Sequence, residues 1–565
     1  MKILQLHVDF IEYKPVKKEI PGAEDATTDA VKEEDLVVLF TAVESGDDTE
    51  LAKKAVSETK EFLGKLGTSK VMIYPFAHLS QDLARPADAL PVLKDMETEA
   101  KGAGLEVSRA PFGWNKALQL KVKGHPLAEM SRSYSREPGK QAAAPAKRAR
   151  EPTESEAMAK LKRSDFGGLP DGDHRTIGQR QDLFSLQEVS PGMVYWHDKG
   201  LKLWNVIEGF IRSELSRRGY IEVSTPALAN TALWRVSGHS EHYRDNMFLT
   251  SLGGEELGMK PMNCPSHFLI YKTRRWSFRE LPVRYSTFDP LYRNELSGVA
   301  SGLFRVKVLT QDDGHIIATE EQAEKELADM LDLMVKVYGV FGLEYKVKIS
   351  TRPDDSMGTD EEWERATNTL IRVVKSKGWA YEIKEKEGNF YSPKIDVDIR
   401  DSLGREWQCG TFQFDLQMPK RFKLTYTGSD GKEHTPVVLH RTILGSMERF
   451  IGIMLEHYKG ALPVWLSPVQ VKVIPLSDDH RAYAEKVLGS LVEAGIRAEG
   501  DLASGTMGAK IRDAQLLKVP YMLVVGKKEE DAKTVAVRTR EGEQRFGIQL
   551  ADFLSEVKEK VASFK

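Results

Sequence analysis

The sequence predicts a multidomain protein that combines α/β and α+β folds, and three observations support this prediction. With 565 residues, the chain is long enough for roughly three to five domains. A polar, basic stretch at residues 131–163 interrupts it, and its last hundred residues alternate strands with helices. Apolar residues make up 41% and charged residues 29%, which is typical of a globular protein.

Composition also limits the function. The 81 basic and 84 acidic residues give a net charge of −3, so no global field favours a polyanionic partner. The two cysteines, Cys264 and Cys409, are too few for a secreted disulfide scaffold. No apolar run approaches the roughly 18 residues of a membrane span, and the first residues do not resemble a signal peptide. We therefore expect a cytoplasmic protein with no membrane segment.

The first domain is predicted at residues 1–130 as an α/β unit. Its expected strands are residues 2–10, 36–43, 70–75 and 118–122. Its expected helices are residues 50–66 and 91–103. A basic linker is predicted at residues 131–172, because residues 131–163 hold nine basic and four acidic residues with few apolar ones. Such a linker is either solvated, which we favour, or in contact with a phosphate backbone.

Two further domains are predicted at residues 173–466 and 467–565. In the former, apolar residues recur at helical spacing over 201–215, short strands with turns are expected over 349–438, and a helix over 443–457. The last domain follows a strand–helix–strand–helix–strand order, which predicts a small α/β fold with a largely parallel core.

Two constellations in the middle domain suggest a binding site. Cys264 and His267 are spaced like half of a zinc site, although a buried cysteine is more often a small apolar residue. Arg293 and Glu295 precede a Gly/Ser-rich turn and Arg305 follows it, so a hairpin would bring both guanidiniums to one carboxylate or phosphate. The alternative is a surface hairpin joined by salt bridges.

Two more constellations follow. Gln408 and Gln413 would face opposite sides of an ideal strand unless Gly410 allows a bulge. Gly445 and Ser446 are expected early in a helix with Arg449 one turn further on, an arrangement suited to a phosphate or carboxylate. Together, the four constellations fit phosphoryl or adenylyl transfer. No P-loop or GxGxxG motif accompanies them.

At these residues the chain resembles the threonyl-tRNA synthetases, which are class II aminoacyl-tRNA synthetases. Residues 219–226, GYIEVSTP, resemble motif 1, which builds the dimer interface. Residues 293–305 resemble motif 2 and residues 445–449 resemble motif 3. The resemblance implies a catalytic core on an antiparallel sheet, a homodimer, and the use of ATP with Mg²⁺. The family implies that Arg293, Arg305 and Arg449 are catalytic and that they bind ATP together with Glu295.

The resemblance also implies one zinc ion per subunit, held by Cys264, His315 and His440 rather than by the local pair with His267. Threonine would chelate this zinc through its amino and hydroxyl groups, and Asp313 would accept the hydroxyl proton. Valine lacks the hydroxyl, and a merely hydrophobic pocket rejects such isosteres only about 100-fold. The family places further substrate contacts at Met262, Gln311, Tyr391, Lys394, Gln408, Gln413 and Ser446. Two departures from its pattern are Leu309, where an aromatic residue is common, and Ser392, where glycine is.

Serine also carries a hydroxyl, and one missing methyl is worth only about 1–3 kcal/mol, so editing is expected. Residues 74–80, 110–116 and 124–129 resemble the archaeal threonyl-tRNA synthetase editing domain, which is similar in fold to D-aminoacyl-tRNA deacylase. The resemblance places its pocket at His78, Phe112, Lys116 and Glu129. Asn115 stands where a tyrosine usually precedes the lysine. The alternative is a degenerate domain kept for tRNA docking.

Residues 526–529 and 534–540 resemble the class IIa anticodon-binding domain, which implies that Glu529 and Arg538 contact anticodon bases. The alternative for both is a solvated surface charge. The whole pattern predicts a homodimeric enzyme that joins L-threonine to tRNA(Thr) and hydrolyses mischarged seryl-tRNA(Thr). Its rivals are a class IIa synthetase for another amino acid, such as proline or serine, and an RNA-binding regulator without catalysis.

Overall fold

The computed structural model describes residues 1–20, 22–80, 82–125, 127–134, 158, 160–295, 301–401 and 404–565. The chain divides into two units, residues 1–151 and residues 152–565. Residues 135–157 and 159 of the predicted linker lie outside the described residues. Within the described residues, no helix combines the length and apolar character needed to cross a membrane.

The first unit is built on a six-stranded sheet. Its strands are β1 (Lys2–Lys18), β2 (Val31–Ala42), β3 (Lys70–Pro75), β4 (Glu106–Arg109), β5 (Trp114–Val122) and β6 (Glu129–Ser133). They lie in the order β4-β3-β2-β1-β5, and β6 also pairs with β1. Strands β2, β3 and β4 run parallel because the helices α1 (Thr49–Leu66) and α2 (Pro86–Gly102) cross over between them.

Alternating residues of this sheet enter two separate cores. Val37 and Leu39 pack with the two helices, whereas Val38 and Phe40 belong to a cluster without α1 or α2 residues. The four expected strands and two expected helices are present, but β1 continues to Lys18 and α2 begins at Pro86, and β4 and β6 were not predicted. The sheet extends past the predicted boundary at residue 130, because β6 pairs with β1 and the buried Tyr134 donates its N–H to the Met1 carbonyl at 2.8 Å.

In the second unit, an eight-stranded sheet has the order β18-β17-β19-β20-β23-β16-β13-β9. Its strands are β9 (Ile221–Glu222), β13 (Val283–Thr287), β16 (Asp313–Ala318), β17 (Tyr345–Ser350), β18 (Tyr381–Lys384), β19 (Lys394–Arg400), β20 (Glu406–Asp415) and β23 (Val437–Thr442). Five of its seven pairings are antiparallel, so the predicted antiparallel core is confirmed.

Shorter strands form four smaller sheets in this unit. They are β7 (Phe184–Leu186), β8 (Val194–Trp196), β10 (Leu228–Asn230), β11 (Leu249–Leu252), β12 (Glu255–Met259), β14 (Pro290–Tyr292), β15 (Val308–Thr310), β21 (Tyr426–Thr427) and β22 (Glu433–His434). The accompanying helices are α3 (His174–Arg180), α4 (Asp198–Ser216), α5 (Ala232–Val236), α6 (His239–His242), α7 (Cys264–Tyr271), α8 (Glu320–Val340), α9 (Asp360–Ser376), α10 (Met418–Arg421) and α11 (Met447–His457).

Two expectations for this region are corrected. The segment 349–438, predicted as strands and turns, contains the 17-residue helix α9, which buries Trp363 and Leu370 at helical spacing and is capped by Thr359. Helix α11 begins at Met447 rather than at residue 443, because Gly445 has a φ of +76° and Ser446 is the N-cap. Gly445 and Ser446 therefore precede this helix.

The end of the chain forms a five-stranded sheet in the order β25-β24-β26-β27-β28. Its strands are β24 (Val471–Pro475), β25 (Ala498–Gly500), β26 (Tyr521–Val525), β27 (Thr534–Thr539) and β28 (Gln544–Gln549). Its helices are α12 (Arg481–Glu493), α13 (Met507–Leu516), α14 (Lys527–Ala532) and α15 (Leu550–Ala562). Strands β25, β24 and β26 are parallel, which confirms the predicted strand–helix alternation.

Candidate functional site

A cavity of about 580 Å³ in the second unit brings together every residue predicted for catalysis, ATP, substrate and metal. These lining residues are Met262, Cys264, Arg293, Glu295, Arg305, Gln311, Asp313, His315, Tyr391, Lys394, Gln408, Gln413, His440, Ser446 and Arg449. They come from seven separate segments of the sequence. Leu309, at the position where the family often has an aromatic residue, also lines this cavity.

Strand register assembles the centre of the cavity. His315 on β16 pairs directly with His440 on β23, which pairs with Gln413 on β20, which pairs with Lys394 on β19. Directly opposite residues of antiparallel strands have Cβ atoms about 5 Å apart and point to the same face. Four polar side chains therefore form one row across the sheet.

Cys264, the first residue of α7, completes a group of possible metal ligands with the two histidines. One ligand atom of each residue lies within 4.8 Å of the other two, and all three are buried. His440 donates from Nε2 to Asp415 Oδ2 at 3.0 Å, and His315 Nδ1 lies 2.9 Å from His267 Nδ1. Each histidine keeps its second ring nitrogen for a metal, which is how zinc ligands are commonly oriented.

This geometry corrects the local pairing of Cys264 with His267. His267 contacts His315 instead and lies outside the group of three. A soft thiolate with two imidazoles suits zinc, and three protein ligands leave a position for a substrate. The residues present therefore fit the metal that the family implies.

Polar groups beside the metal group are buried or partly buried, and they are hydrogen-bonded to one another. Asn263 donates to Asp313 Oδ2 at 3.0 Å, and the Tyr391 hydroxyl donates to Gln413 Oε1 at 2.8 Å. Burial raises the pKa of the Asp313 carboxyl and raises that of the Tyr391 phenol well above its usual range. The cavity here can bind a small ligand that has both an apolar part and hydrogen-bonding groups.

A β-bulge places Gln408 and Gln413 in one cavity. Val397 pairs with Gly410 and Asp398 pairs with Gln408, so Cys409 is an extra residue between them. The bulge is the alternative that the sequence left open at Gly410. Gln408 donates to Asp396 at 2.5 Å, and Lys394 forms an ion pair with the other oxygen of Asp396 at 2.8 Å.

The three predicted arginines are among the four that line the cavity. Arg293 directly follows β14 and Arg305 precedes β15, so both flank the predicted hairpin rather than lying in its strands. Arg305 forms an ion pair with Glu295 at 2.9 Å. Arg449 donates to the carbonyls of Phe304 and Gln408, each at 2.9 Å. Such guanidiniums suit carboxylate and phosphate groups.

The start of α11 is fixed against its surroundings. The Ser446 hydroxyl accepts the N–H of Arg449 at 3.1 Å. Glu448 accepts the N–H of Thr310 on β15 at 3.1 Å, and burial raises the pKa of Glu448 to about 7. At Gly445, a Cβ would lie 3.0 Å from the Cys409 Cα, so the turn before the helix requires glycine.

Sequence reasoning missed several lining residues, namely Tyr243, Asn246, Phe304, Val306, Asn389, Cys409, Thr411, Arg441 and Thr442. Thr411 could have been predicted from the sequence, because it lies two residues before Gln413 on one strand and so points to the same face. Asn246 lies in a short 3-10 helix far from the motifs, and no pattern indicated it.

In the first unit, Lys116 is the most distinctive of the four predicted editing residues. Its Nζ donates to the carbonyls of Pro111 at 2.9 Å and Trp114 at 3.2 Å, and it lies 4.9 Å from the centre of the Tyr74 ring. Burial lowers the pKa of Lys116 to about 8. This ammonium therefore loses its proton at a lower pH than an ordinary lysine does.

The other three editing residues differ in environment. His78 is exposed and its ring lies 5.3 Å from that of Phe76. Phe112 packs beside the core that contains α1 and α2, and Glu129 is exposed on β6. Among the described residues, no side-chain hydrogen bond or ion pair joins these three to Lys116. Asn115 donates to Glu19 at 2.6 Å.

The two predicted anticodon residues lie near the end of the chain. Glu529 accepts the N–H of Gly526 at 3.0 Å at the start of α14. Arg538 lies on β27 between Met522 and Gln544, and its Nε is buried without a hydrogen-bond partner among the described residues.

Three family models match the chain. Residues 1–134 match the archaea-specific editing domain of threonyl-tRNA synthetase, and residues 248–458 match the tRNA synthetase class II core domain (G, H, P, S and T). Residues 470–560 match an anticodon-binding domain. The matches follow the same order as the three predicted folds.

Individual relatives agree. The chain is 48% identical over 391 residues to a threonine–tRNA ligase of Caldanaerobacter subterraneus and 49% identical over 389 residues to that of Acetivibrio thermocellus. Each match covers 69% of this chain and 61% of the relative, so the chain spans about three fifths of these relatives' length.

Solved structures extend the comparison. One from Aeropyrum pernix, a putative threonyl-tRNA synthetase, has a TM-score of 0.61 at 29% identity, and the match covers 69% of this chain and 97% of that one. The RNA binding domain of threonyl-tRNA synthetase from Cryptosporidium parvum has a TM-score of 0.67 at 39% identity, covering 69% of this chain and 98% of that one. The chain therefore belongs to the threonyl-tRNA synthetase family, with a class II catalytic core, an archaeal-type editing domain and an anticodon-binding domain.

Proposed function

We propose that this protein is a threonine–tRNA ligase that activates L-threonine with ATP, transfers it to tRNA(Thr), and hydrolyses mischarged seryl-tRNA(Thr) in its first unit. The observation that carries the proposal is the cavity in which Arg293, Arg305 and Arg449 lie with the buried group Cys264, His315 and His440. The guanidiniums suit the carboxylate of the amino acid and the phosphates of ATP. The Cys/His group suits a metal that selects the amino acid.

Selection of threonine would depend on the metal group and on Asp313 beside it. A zinc ion held by Cys264, His315 and His440 would supply a Lewis acid with open positions for an amino and a hydroxyl group. Asp313 would accept the hydroxyl proton of threonine. Valine would leave Asp313 with only its hydrogen bond from Asn263, and the missing hydrogen bond would reject this isostere more strongly than shape alone.

Activation of threonine would use the arginines of the cavity. The threonine carboxylate attacks the α-phosphorus of ATP, which forms threonyl-adenylate and releases pyrophosphate. Arg293 and Arg305 would hold the carboxylate and the α-phosphate, and Arg449 would bind the nucleotide, while Mg²⁺ accompanies ATP. A ribose hydroxyl of tRNA then attacks the threonyl carbonyl and releases AMP. No covalent enzyme intermediate is needed.

For editing, we propose that Lys116 in its ammonium form positions seryl-tRNA in the first unit, together with His78, Phe112 and Glu129. The half-buried position of Lys116 supports this role, because its carbonyl partners hold the ammonium in a defined place. The exposed His78 and Glu129 leave room for a large RNA substrate.

The remaining proposals concern partners. Glu529 and Arg538 would read anticodon bases of tRNA(Thr), because a carboxylate and a guanidinium can both hydrogen-bond to the exposed edges of unpaired bases. A homodimer would form along β9, which ends the eight-stranded sheet and leaves Ile221 51% exposed. Cys264 and Cys409 are both free, which suits the reducing cytoplasm.

Amino-acid-dependent exchange of pyrophosphate into ATP tests the central proposal. We expect exchange with threonine that is lost when zinc is removed and restored when zinc is added. Exchange driven by proline or serine in preference to threonine would support another class IIa specificity. Binding of tRNA without exchange or charging would support a regulator that has lost catalysis.

A further inference from the structure

Helix α3 begins with a histidine that contacts the end of the motif 2 segment. His174 is 1% exposed, and its ring nitrogens both have partners. Nδ1 lies 2.8 Å from Glu456 Oε1 on α11, and Nε2 lies 3.0 Å from the backbone nitrogen of Leu303. The contact reaches residues that are 129 and 282 positions away in the sequence.

These partners define the proton position on the ring. A backbone N–H can only donate, so Nε2 of His174 must accept the N–H of Leu303 through its lone pair. The ring proton is then on Nδ1 and is donated to the Glu456 carboxylate. His174 thus links α11 to the backbone of residue 303 in one fixed orientation.

Ring packing strengthens this link. Phe304 lies between His174 and Trp407, with ring centroids 4.1 Å and 4.2 Å away. On α11, Gly452 leaves space for the Phe304 ring, because a Cβ there would lie 2.9 Å from it. Arg405 forms an ion pair with Glu456 and lies 5.9 Å from the Phe304 ring.

The fixed residues connect directly to the cavity. The Phe304 carbonyl accepts the Nε–H of Arg449 at 2.9 Å, and Phe304 is followed by Arg305. Phe304, Arg305 and Arg449 all line the cavity. Orientation of the 303–304 backbone therefore affects the placement of two guanidiniums, whereas the row from His315 to Lys394 is held by strand pairing.

We propose that His174 is a positioning residue for the nucleotide: through Leu303 and Phe304 it holds Arg305 and Arg449 in the geometry that binds ATP. The inference rests on the proposed function, since it assigns ATP to this half of the cavity. His174 does not contact substrate. Its removal should weaken ATP use selectively and leave threonine recognition intact.

Three substitutions separate the contacts. His174→Phe keeps the ring packing on Phe304 but removes both hydrogen bonds. His174→Asn is too short to reach Leu303 and keeps a donor for Glu456. His174→Gln can place an oxygen near the position of Nε2 and accept the Leu303 N–H. His457→Phe is a matched control, because it replaces the histidine that ends α11 and lies outside the cavity.

The assay is pyrophosphate exchange with the full chain, measured against ATP and against threonine. We expect His174→Phe and His174→Asn to raise the KM for ATP about tenfold, with the KM for threonine within twofold of the parent protein and His174→Gln close to it. His457→Phe should match the parent protein. If one variant fails to fold, the other decides the question, with the melting temperature measured alongside.

Two results would overturn the inference. One is an unchanged KM for ATP in a folded variant that has lost the hydrogen bond to Leu303. The other is an equal rise in the KM for ATP and the KM for threonine. Absence of threonine-dependent pyrophosphate exchange in the parent protein would instead refute the proposed function, so the two failures are distinguishable.

Discussion

Replacing Asp415 by asparagine tests how the proposed zinc site is held. Asp415 is fully buried, and its Oδ1 accepts the N–H groups of Gln417 at 2.8 Å and Met418 at 3.0 Å, while its Oδ2 accepts from His440 Nε2. In the asparagine variant, the oxygen must remain toward the two backbone donors. The amide NH₂ then faces His440, and two donors oppose each other.

The imidazole can relieve this conflict by moving its proton from Nε2 to Nδ1. Nδ1 is the nitrogen left for a metal, so zinc binding would have to reverse the change. Loss of such a supporting partner typically costs 10- to 100-fold in metal affinity, or about 1.4–2.8 kcal/mol. We expect Asp415→Asn to weaken zinc binding within this range while the protein stays folded.

Competition for zinc with a chromophoric chelator measures the affinity, and urea unfolding of the metal-free protein measures stability. Asp398→Asn is a matched control, because Asp398 is also buried on this sheet but pairs with Lys348 away from the metal group. Zinc affinity within a factor of two of the parent protein in Asp415→Asn would refute the reasoning.

Three further predictions follow from other contacts. Because burial lowers the pKa of Lys116 to about 8, we expect seryl-tRNA hydrolysis to fall as pH rises through 8, and Lys116→Met to slow it at least tenfold without changing threonylation; undiminished deacylation would contradict this site. Although burial raises the pKa of Asp289, its 2.7 Å ion pair with Lys260 and its other hydrogen bonds outweigh this and lower it to about 2, against an ordinary 3.8. Its contribution to the free energy of unfolding, about 2 kcal/mol, is therefore present above pH 4 and lost as pH falls through 2. Urea unfolding of the parent protein and of Asp289→Asn should show a difference that shrinks over that range; a constant difference would contradict the assignment. Arg538→Ala should weaken tRNA binding by about 1–3 kcal/mol in a filter-binding assay and leave pyrophosphate exchange unchanged, whereas equal tRNA affinity would remove Arg538 from recognition.

Local patterns in the sequence predicted most of the fold. Alternation and helical spacing predicted four of the six strands of the first unit and the strand–helix order at the end of the chain, because each depends on neighbouring residues. Helix α9 was missed although Trp363, Ala366 and Leu370 recur at helical spacing behind the Thr359 cap. The start of α11 was misplaced because Gly445 and Ser446 form a cap rather than a first turn.

The candidate site depended on long-range register, which local patterns do not contain. Cys264 and His267 are close in sequence, but the metal group forms because β16 and β23 pair His315 with His440 across 125 residues. The bulge at Cys409 likewise reverses the expected facing of Gln408 relative to Gln413. The residues of the metal group were predicted from the family resemblance, because the family's motifs contain residues that the fold brings together.

The measurement that tests the central claim most directly is charging of tRNA(Thr) with threonine, serine, valine and proline, with zinc content determined on the same sample. We expect threonyl-tRNA to accumulate with about one zinc per chain, serine to be attached and then released, and valine and proline to be rejected. Threonylation that continues at full rate in protein without zinc, or preferential charging with proline, would contradict the account.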